Sequence, residues 1–506
     1  MGSSNFPSIL QIFKMLITTK TFKEVCGMSM NIVCKDKVSF KKIEKEIYAA
    51  HCEMAREDTA MILKMLDEDL HETRDKSEYR DKGLRKTTIK TVYGEVEYSR
   101  HVYITRTENG KNATVYLLDK ELGMDRIGLI STNLAEKIAE AATAVPFRKA
   151  ASHVSNTTGQ VISHAGAWNV VQAIGDKLAK EEKLLVKEFQ NEEPRGKQET
   201  PILFEEMDGV WLKSQIEGGR KGPGIEVKIG TMYEGWKDTA GKRSILAGKT
   251  VLAGIERSES FHEKWEAKIQ SIYDPEKIGL RILNGDGGSW IHDEYDASAL
   301  QQYDRFHAVK LIRQKTSHNE AKADMLKFLD EDRIDELIEY ARMYFDSIST
   351  REDTPEENAA EELANFLEDH KDELARYKAR DIKIPEPPEG ILYRNMGVQE
   401  NQNCTVITLR MKGKRKRWAE KSAANMVRLL YYRENRDLMD AVDRYTDGAV
   451  WTEPIRNKLK KPLSAAKVDM MDGKGNNRYY DTFNVHLPIL DSSNPRTVKV
   501  FKRMIF

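Results

Sequence analysis

Three acidic residues stand where carboxylates can do chemistry. Asp208 lies between two apolar segments of one predicted strand, where a charge is costly unless it binds metal or sits at the rim of a sheet. Asp286 ends another apolar run and is flanked by glycines, which let backbone and ligand approach closely. Glu400 lies in the segment GVQENQN, although spacing alone fits Glu386 or Glu389 equally well.

Carboxylates that converge in this way bind Mg²⁺, which prefers oxygen ligands. Two such ions, about 3.5–4 Å apart, activate an attacking water or 3′-hydroxyl and stabilise the leaving oxygen of a phosphodiester. Asp-Gly and Gly-Asp-Gly sequences are also common in turns, so spacing alone leaves both interpretations open. Glu206 shares a strand face with Asp208 and is either a supporting acid or a solvated strand end.

The elements that must position these acids alternate between strand and helix. Three apolar, β-branched runs come first, and then helix and strand alternate, which predicts a mixed α/β sheet with helices on its faces. The first acid falls within a strand and the second at the end of a strand. The predicted strands are 202–211, 225–230, 250–254, 279–283 and 301–303, with a helix over 256–272.

The region before the sheet has a different pattern. Helical spacing over 40–80 predicts a packing or dimerisation helix, and a two-residue period with a turn at Gly94 predicts a small basic sheet. Three helices over 131–174 suggest a helix-turn-helix, whose last helix would present His164 and Asn169 where such motifs contact base edges. A plain helical hairpin has the same spacing.

Two charged segments follow the sheet. Residues 318–369 carry 17 acidic and 5 basic residues with helical periodicity, which predicts an all-helical insertion. A basic run comes later and is either a phosphate-binding patch or a solvated face. Its cations are Arg410, Lys412, Lys414, Arg415, Lys416 and Arg417.

Composition narrows the class of protein. The 506 residues hold 81 basic and 81 acidic side chains, which excludes a globally basic nucleic-acid coat but permits local basic patches. No apolar run reaches the roughly 18 residues of a membrane span, so no membrane association is expected. None of the four cysteines forms a CxxC pair, which favours a reducing cytoplasm.

These patterns divide the chain into seven segments. They are an N-terminal helical region with an oligomerisation role (1–84), a small antiparallel β region (85–120), a helix-turn-helix-like DNA-binding region (121–195), a first part of the catalytic core (200–317), an acidic helical insertion (318–390), a last part of the core (391–435) and a basic C-terminal region (436–506).

Several separated motifs resemble one known family. The strings EMDGVW, NGDGGSW, YDRFH and GVQENQN occur in this order, together with the hairpin KTVYGEVEY and the helices LAEKIAE and SHAGAWNVVQ. They resemble the bacterial insertion-sequence transposases of the ISLre type, which are relatives of the Mutator-like DDE transposases. The resemblance extends from about residue 40 to about residue 430.

The resemblance implies a ribonuclease-H-like catalytic domain with Asp208, Asp286 and Glu400 as its catalytic, metal-binding triad. It is what selects Glu400 over its neighbours. Asn403 and Arg410 stand where the related enzymes carry Asn and Arg after the Glu. Those enzymes also carry a Cys-x-x-His pair, of which this chain keeps His307 but has Asp304 in place of Cys. His307 either supports the site and the DNA or packs its helix.

The function that follows is expected to be transposition. The enzyme would use Mg²⁺, or Mn²⁺ as a substitute, to cleave transposon ends and join the 3′-hydroxyl to target DNA. Its partners would be double-stranded DNA, both terminal repeats and target, and further copies of itself at the nucleoid. A structure-specific nuclease on the same fold and a domesticated, non-catalytic DNA-binding protein remain as alternatives.

Overall fold

The computed structural model describes residues 39–107, 110–123, 130–193, 196–239, 243–292, 299–349, 354–413 and 415–446. The predictions for residues 1–38, Lys414 and the C-terminal region beyond 446 lie outside the described residues. The chain forms two compact units, one from Met1–Leu134, Ser155–Val161 and Thr446–Phe506, and one from Ala135–Val154 and Ile162–Tyr445. Among the described helices, none combines the length and the apolar content that crossing a membrane requires.

A long helix and a small antiparallel sheet make up the N-terminal unit. Helix α1 (Phe40–Thr73) precedes strands β1 (Arg80–Thr91), β2 (Gly94–Arg106) and β3 (Asn112–Val115), and helix α2 (Leu117–Glu121) follows them. The predicted helix and hairpin are therefore confirmed, but the helix ends at Thr73 rather than at residue 80, where β1 already begins. Apolar side chains from the helix and the sheet form one core, with Leu63, Leu66, Ile89, Val96, Tyr98 and Leu118 buried.

Three further helices precede the large sheet, as the sequence predicts. They are α3 (Thr132–Ala144), α4 (Phe147–Thr157) and α5 (His164–Gln190). Ser163 caps α5, because its side-chain oxygen accepts a hydrogen bond from the Gly166 amide at 3.0 Å. Helix α5 extends beyond the predicted end because its buried face continues through Leu178 and Glu182.

The second unit contains a five-stranded mixed sheet, so the predicted mixed α/β architecture is confirmed. The strand order is β10-β9-β4-β5-β8, in which β4, β5 and β8 are antiparallel and β9 and β10 run parallel to β4. A separate hairpin, β6–β7, lies between β5 and β8 in the chain. The strands are β4 (Gln198–Gln215), β5 (Lys221–Tyr233), β6 (Gly235–Asp238), β7 (Ser244–Ala247), β8 (Thr250–Gly254), β9 (Tyr273–Gly285) and β10 (Leu300–Tyr303).

The remaining helices lie in the connections between the strands and in the insertion that follows the last strand. Parallel strands are joined by crossover connections, which usually contain a helix. Helix α6 (Ser258–Ile272) connects β8 to β9, and α7 (Ser289–His292) lies in the connection between β9 and β10. The predicted all-helical insertion is confirmed, and its helices bury a core of their own that includes Met325, Leu337 and Leu363. These helices are α8 (Arg305–Lys315), α9 (Asn319–Asp330), α10 (Ile334–Ile348), α11 (Pro355–Asp369) and α12 (Lys371–Leu374).

The chain then returns to the sheet as a second helical segment. Helix α13 (Gln399–Gln402), a π-helical turn (Asn403–Thr408) and α14 (Leu409–Met411) run on without a break, and we call residues 399–411 the Glu400 helix. Helices α15 (Glu420–Glu434) and α16 (Leu438–Thr446) follow. Helix α15 crosses α5 so closely that a Cβ on Gly175 would meet the Asn425 side chain at 2.4 Å.

One buried ion pair fastens α6 to the sheet. The Glu205 side chain is fully buried and accepts two hydrogen bonds from the Arg281 guanidinium, at 2.7 and 3.0 Å. Trp265 of α6 donates its ring N–H to the same carboxylate at 2.7 Å, and Arg281 also bonds Glu266 of α6. Strand β9 carries a second pair with β4, between Lys277 and Glu199, which is exposed.

We expect Arg281→Met to lower the free energy of unfolding by about 3–5 kcal/mol, because it leaves the Glu205 charge buried without its partner. Urea denaturation measures the change. Lys277→Met is the matched control, since it removes a solvated cation from the same strand. Equal effects of the two substitutions would contradict the assigned role of the buried pair.

Candidate metal centre

Strand register brings Asp208 and Asp286 together. The parallel pairing of β4 with β9 ends at Glu206 opposite Asn284. Asp208 lies two residues further along β4, and Asp286 directly follows Gly285, the last residue of β9, so the two acids lie at the same level of the sheet. Neighbouring strands are about 4.8 Å apart, which places the two carboxyl groups side by side.

His307 completes a group with these two acids. One ligand atom of each of Asp208, Asp286 and His307 lies within 4.8 Å of the other two. His307 reaches this position from the first turn of α8, which begins directly after β10, the parallel neighbour of β9. Asp208 lies within β4, Asp286 directly follows β9, and His307 follows β10. The three residues therefore meet at the level of the sheet where β9 and β10 end, and sites in α/β sheets gather at such strand ends.

Asp304 fixes the orientation of the His307 ring. The Asp304 carboxylate caps α8 by accepting the backbone N–H of His307 at 3.2 Å, and it contacts the ring Nδ1 at 3.1 Å. Asn284 donates a third hydrogen bond to it, at 2.9 Å. Because Nδ1 is engaged, Nε2 is the ring nitrogen available to the two acids. Asp304 thus acts as a helix cap and as the hydrogen-bond partner of His307.

The electrostatics of the group favour a cation. Burial and the negative charge of Asp286 raise the pKa of Asp208, while the Gly209 amide, His307 and Asn403 act in the opposite direction. Burial lowers the pKa of His307, but the Asp304 hydrogen bond and the charges of Asp208, Asp304 and Asp286 together raise it above its usual value. A metal ion between the carboxylates would relieve their repulsion.

Glu206 holds the start of the Glu400 helix against the sheet. Its side chain is fully buried, and the backbone amides of Gly397, Val398 and Gln399 donate to it at 2.9–3.2 Å. The Tyr233 hydroxyl, at 2.6 Å, and the Asn284 amide, at 3.3 Å, complete its partners. The interpretation of Glu206 as a solvated strand end is therefore wrong, because this carboxylate binds the free amides at a helix start.

Asn403 joins the same helix to the first acid. Its side-chain amide donates to Asp208 at 2.5 Å, and its oxygen accepts from the Gln399 side chain at 3.0 Å. Gln399 in turn donates to the Ile229 carbonyl in β5 at 3.2 Å. Asn403 begins the π-helical turn, a local feature that is frequent at functional sites.

Glu400 lies one helical turn before Asn403. Residues three apart on a helix are neighbours, with Cβ atoms about 5–6 Å apart, so Glu400 sits on the turn next to the one that contacts Asp208. Its side chain is exposed, and its carboxylate is not part of the close group that Asp208, Asp286 and His307 form. The structure thus brings two of the three predicted acids together and leaves the third exposed on the helix whose Asn403 contacts Asp208.

The predicted DNA-contacting residues have different surroundings. Arg410 is only 4% exposed, lies over the rings of Phe147 and Trp418 and donates to the Ala142 carbonyl. It is therefore a packing cation, and its prediction as part of an open phosphate patch needs correction. Lys416 is half-buried and donates to the Arg410 carbonyl. The side chains that the structure leaves exposed are Lys412, Arg415, Arg417, His164 and Asn169.

Comparison with known proteins places the chain in a family. A model of the "Uncharacterised protein family (UPF0236)" matches residues 33–445. The chain belongs to the UPF0236 family. It is similar to the "UPF0236 protein in vanSb 3'region" of Streptococcus gallolyticus, with 23% identity over 419 residues that cover 80% of this chain and 85% of the relative. The range matched to UPF0236 includes the metal-centre group and the Glu400 helix.

Neutralising one carboxylate should weaken metal binding by this UPF0236 protein. We expect Asp286→Asn to weaken Mn²⁺ binding by at least about tenfold, because one of two oxygen ligands loses its charge. Titration calorimetry measures the affinity, with Glu276→Gln on the same strand as control. In EDTA the Asn variant should melt no lower than wild type, since like-charge repulsion is relieved. Unchanged Mn²⁺ affinity would contradict the assignment.

Glu206→Gln should detach the Glu400 helix. The substitution turns one acceptor oxygen into a donor that faces backbone amides, which costs about 1–3 kcal/mol in the free energy of unfolding. Urea denaturation measures this loss, and hydrogen exchange of the amides at 397–399 reports it locally. Glu217→Gln, at an exposed turn, is the control. Full protection of those amides in the variant would show that Glu206 is not the anchor.

Proposed function

We propose that this chain is a DNA transposase that cleaves the ends of a mobile element and joins them to target DNA. The observation that carries the proposal is the placement of Asp208 and Asp286 side by side on parallel strands, with the Glu400 helix fixed beside them by Glu206 and Asn403. Carboxylates meeting from distant parts of the chain are what the ISLre-type resemblance implies.

The order of elements supports a ribonuclease-H-like domain for this reaction. Three consecutive antiparallel strands come first, followed by two strands parallel to the first. The helical insertion stands between the last strand and the helix with the third acid, as the resemblance implies. The proposed fold therefore agrees with three separate observations: the strand directions, the order of the elements and the positions of the acids.

The residues present fit a divalent cation with oxygen ligands. Asp208 and Asp286 would hold Mg²⁺, or Mn²⁺ in its place, and Glu400 would contribute from the adjacent helix. Bound there, the metal would lower the barrier by stabilising charge on the phosphoryl oxygens. His307 offers nitrogen, for which Mg²⁺ has little preference, so we assign it to the phosphate, where its protonated ring would donate a hydrogen bond.

The two chemical steps need no covalent protein intermediate. In the first, a water oxygen bonds to phosphorus at the element's end and the bond to the 3′ oxygen breaks, which leaves a 3′-hydroxyl and a 5′-phosphate. In the second, that hydroxyl attacks a phosphorus of the target strand and displaces the target's 3′ oxygen. The protein's part is to position both strands against the same carboxylates.

DNA would be held by cations and polar groups outside the centre. The exposed Lys412, Arg415 and Arg417 follow the Glu400 helix and suit phosphate contacts, while His164 and Asn169 suit the base edges of a terminal repeat. A transposase must bring two DNA ends together, so we propose that it acts as a homo-oligomer on nucleoid DNA.

The deciding experiment incubates the purified chain with end-containing DNA and Mg²⁺. We expect nicking at the element's ends and joining to a target plasmid, both resolved on sequencing gels. Asp208→Asn and Asp286→Asn should lower both steps by a factor of about 10³ or more, because charge stabilisation is the main source of rate. DNA binding should survive in both variants and weaken with salt.

Glu400→Gln tests the third acid. It should lower nicking as the Asp variants do, whereas Glu386→Gln and Glu389→Gln, which are exposed acids nearby, should leave it unchanged. Nicking without joining would instead identify a structure-specific nuclease. Binding without either step in the wild-type chain would identify a non-catalytic DNA-binding protein. Equal nicking by wild type and Asp286→Asn would remove the catalytic assignment.

A further inference from the structure

A second group of potential ligands lies in the N-terminal unit. His71 is in the last turn of α1, Asp81 is near the start of β1 and His101 is in β2. One ligand atom of each lies within 4.8 Å of the other two. The group belongs entirely to this unit and shares no residue with the metal centre of the large sheet.

A β-bulge aims Asp81 at the two histidines. Asp81 pairs with Tyr103 across the hairpin, and His101, two residues before Tyr103, points to the same face. The register shifts between Asp81 and Leu84, where Gly83 adopts a φ of 85°. The Gly83 amide donates to the Asp81 carboxylate at 2.9 Å. Bulges of this kind redirect side chains and are frequent beside functional sites.

Hydrogen bonds fix both imidazole rings. The Nδ1 atom of His101 lies 2.7 Å from the carboxylate of Asp67, a buried residue of α1, which also accepts the His101 backbone amide at 3.0 Å. The Nδ1 atom of His71 lies 3.2 Å from the Tyr103 hydroxyl. The two rings stack with centroids 3.9 Å apart. With both Nδ1 atoms engaged, Nε2 is the nitrogen that each ring can offer to a ligand, and binding of one ion by both would turn one ring out of the stack.

This arrangement matches the surroundings of metal-bound histidines in proteins. A ligating imidazole almost always bonds a carboxylate, carbonyl or water through its other nitrogen, which fixes its tautomer and orientation.

We propose that His71, His101 and Asp81 bind a divalent transition-metal ion of the zinc class, with Asp67 and Tyr103 as the residues that orient the rings. Two imidazoles and one carboxylate suit Zn²⁺ and disfavour Mg²⁺. Three protein ligands leave a fourth position for water. The ion would join the end of α1 to β1 and β2, and it would stabilise the N-terminal unit in proportion to its occupancy.

The test measures zinc in the tag-free, full-length chain carrying Asp208→Asn, which disables the other centre. After EDTA treatment and dialysis, we expect titration calorimetry with ZnCl₂ to give one site per chain, and elemental analysis to give the same stoichiometry. Adding His101→Gln or Asp81→Asn should abolish this stoichiometric binding. His51→Gln, an exposed histidine on the same helix α1, should bind zinc as its parent does.

A second variant separates ligation from folding. Asp67→Asn keeps all three ligands but loses the carboxylate behind His101, so zinc affinity should fall about 10–100-fold. Circular dichroism of each variant checks the fold, and Asp81 is exposed, so its substitution should leave the fold intact. No zinc binding by the Asp208→Asn parent, or equal binding by its Asp81→Asn and His51→Gln derivatives, would overturn the proposal. Neither result depends on DNA cleavage.

Discussion

Repulsion between two neighbouring carboxylates is the constraint around which the large sheet is organised. The parallel register of β4 and β9 brings Asp208, within β4, level with Asp286, which directly follows the end of β9. Such a pair is unfavourable unless a cation or a network of donors compensates for it. The surrounding residues supply those donors: the Gly209 amide and Asn403 bond Asp208, and the Gly288 amide bonds Asp286.

Side chains of the sheet also bind the start of the Glu400 helix. Glu206 points to the same side of β4 as Asp208 and accepts hydrogen bonds from three consecutive backbone amides at 397–399. At the start of α8, Asp304 likewise accepts the backbone amide of His307 and contacts its ring Nδ1. In both places a buried acid two or three residues from a candidate ligand binds a helix start. Secondary-structure ends, rather than long side chains, therefore determine where the functional groups lie.

Much of this could be predicted from local pattern. The strand and helix periods predicted the mixed sheet, the helical insertion, the position of Asp208 within one strand and that of Asp286 at the end of another, because periodicity reports burial directly. The roles of Glu206 and Arg410 could not be predicted, since a buried charge and a solvated one look alike in sequence until their partners are known. The group around His71 was missed for a related reason: its three members lie on separate elements, and no short motif links them.

Chain order has a consequence for how this protein is made. Asn403 contacts Asp208 across 195 residues of sequence, and the acidic helical insertion lies between them. At a synthesis rate of about 5–20 residues per second, a ribosome needs roughly 10–40 s to add the missing segment after the first acid has emerged. The nascent chain therefore carries an incomplete centre while 195 of its 506 residues are added, and the insertion accounts for part of that delay.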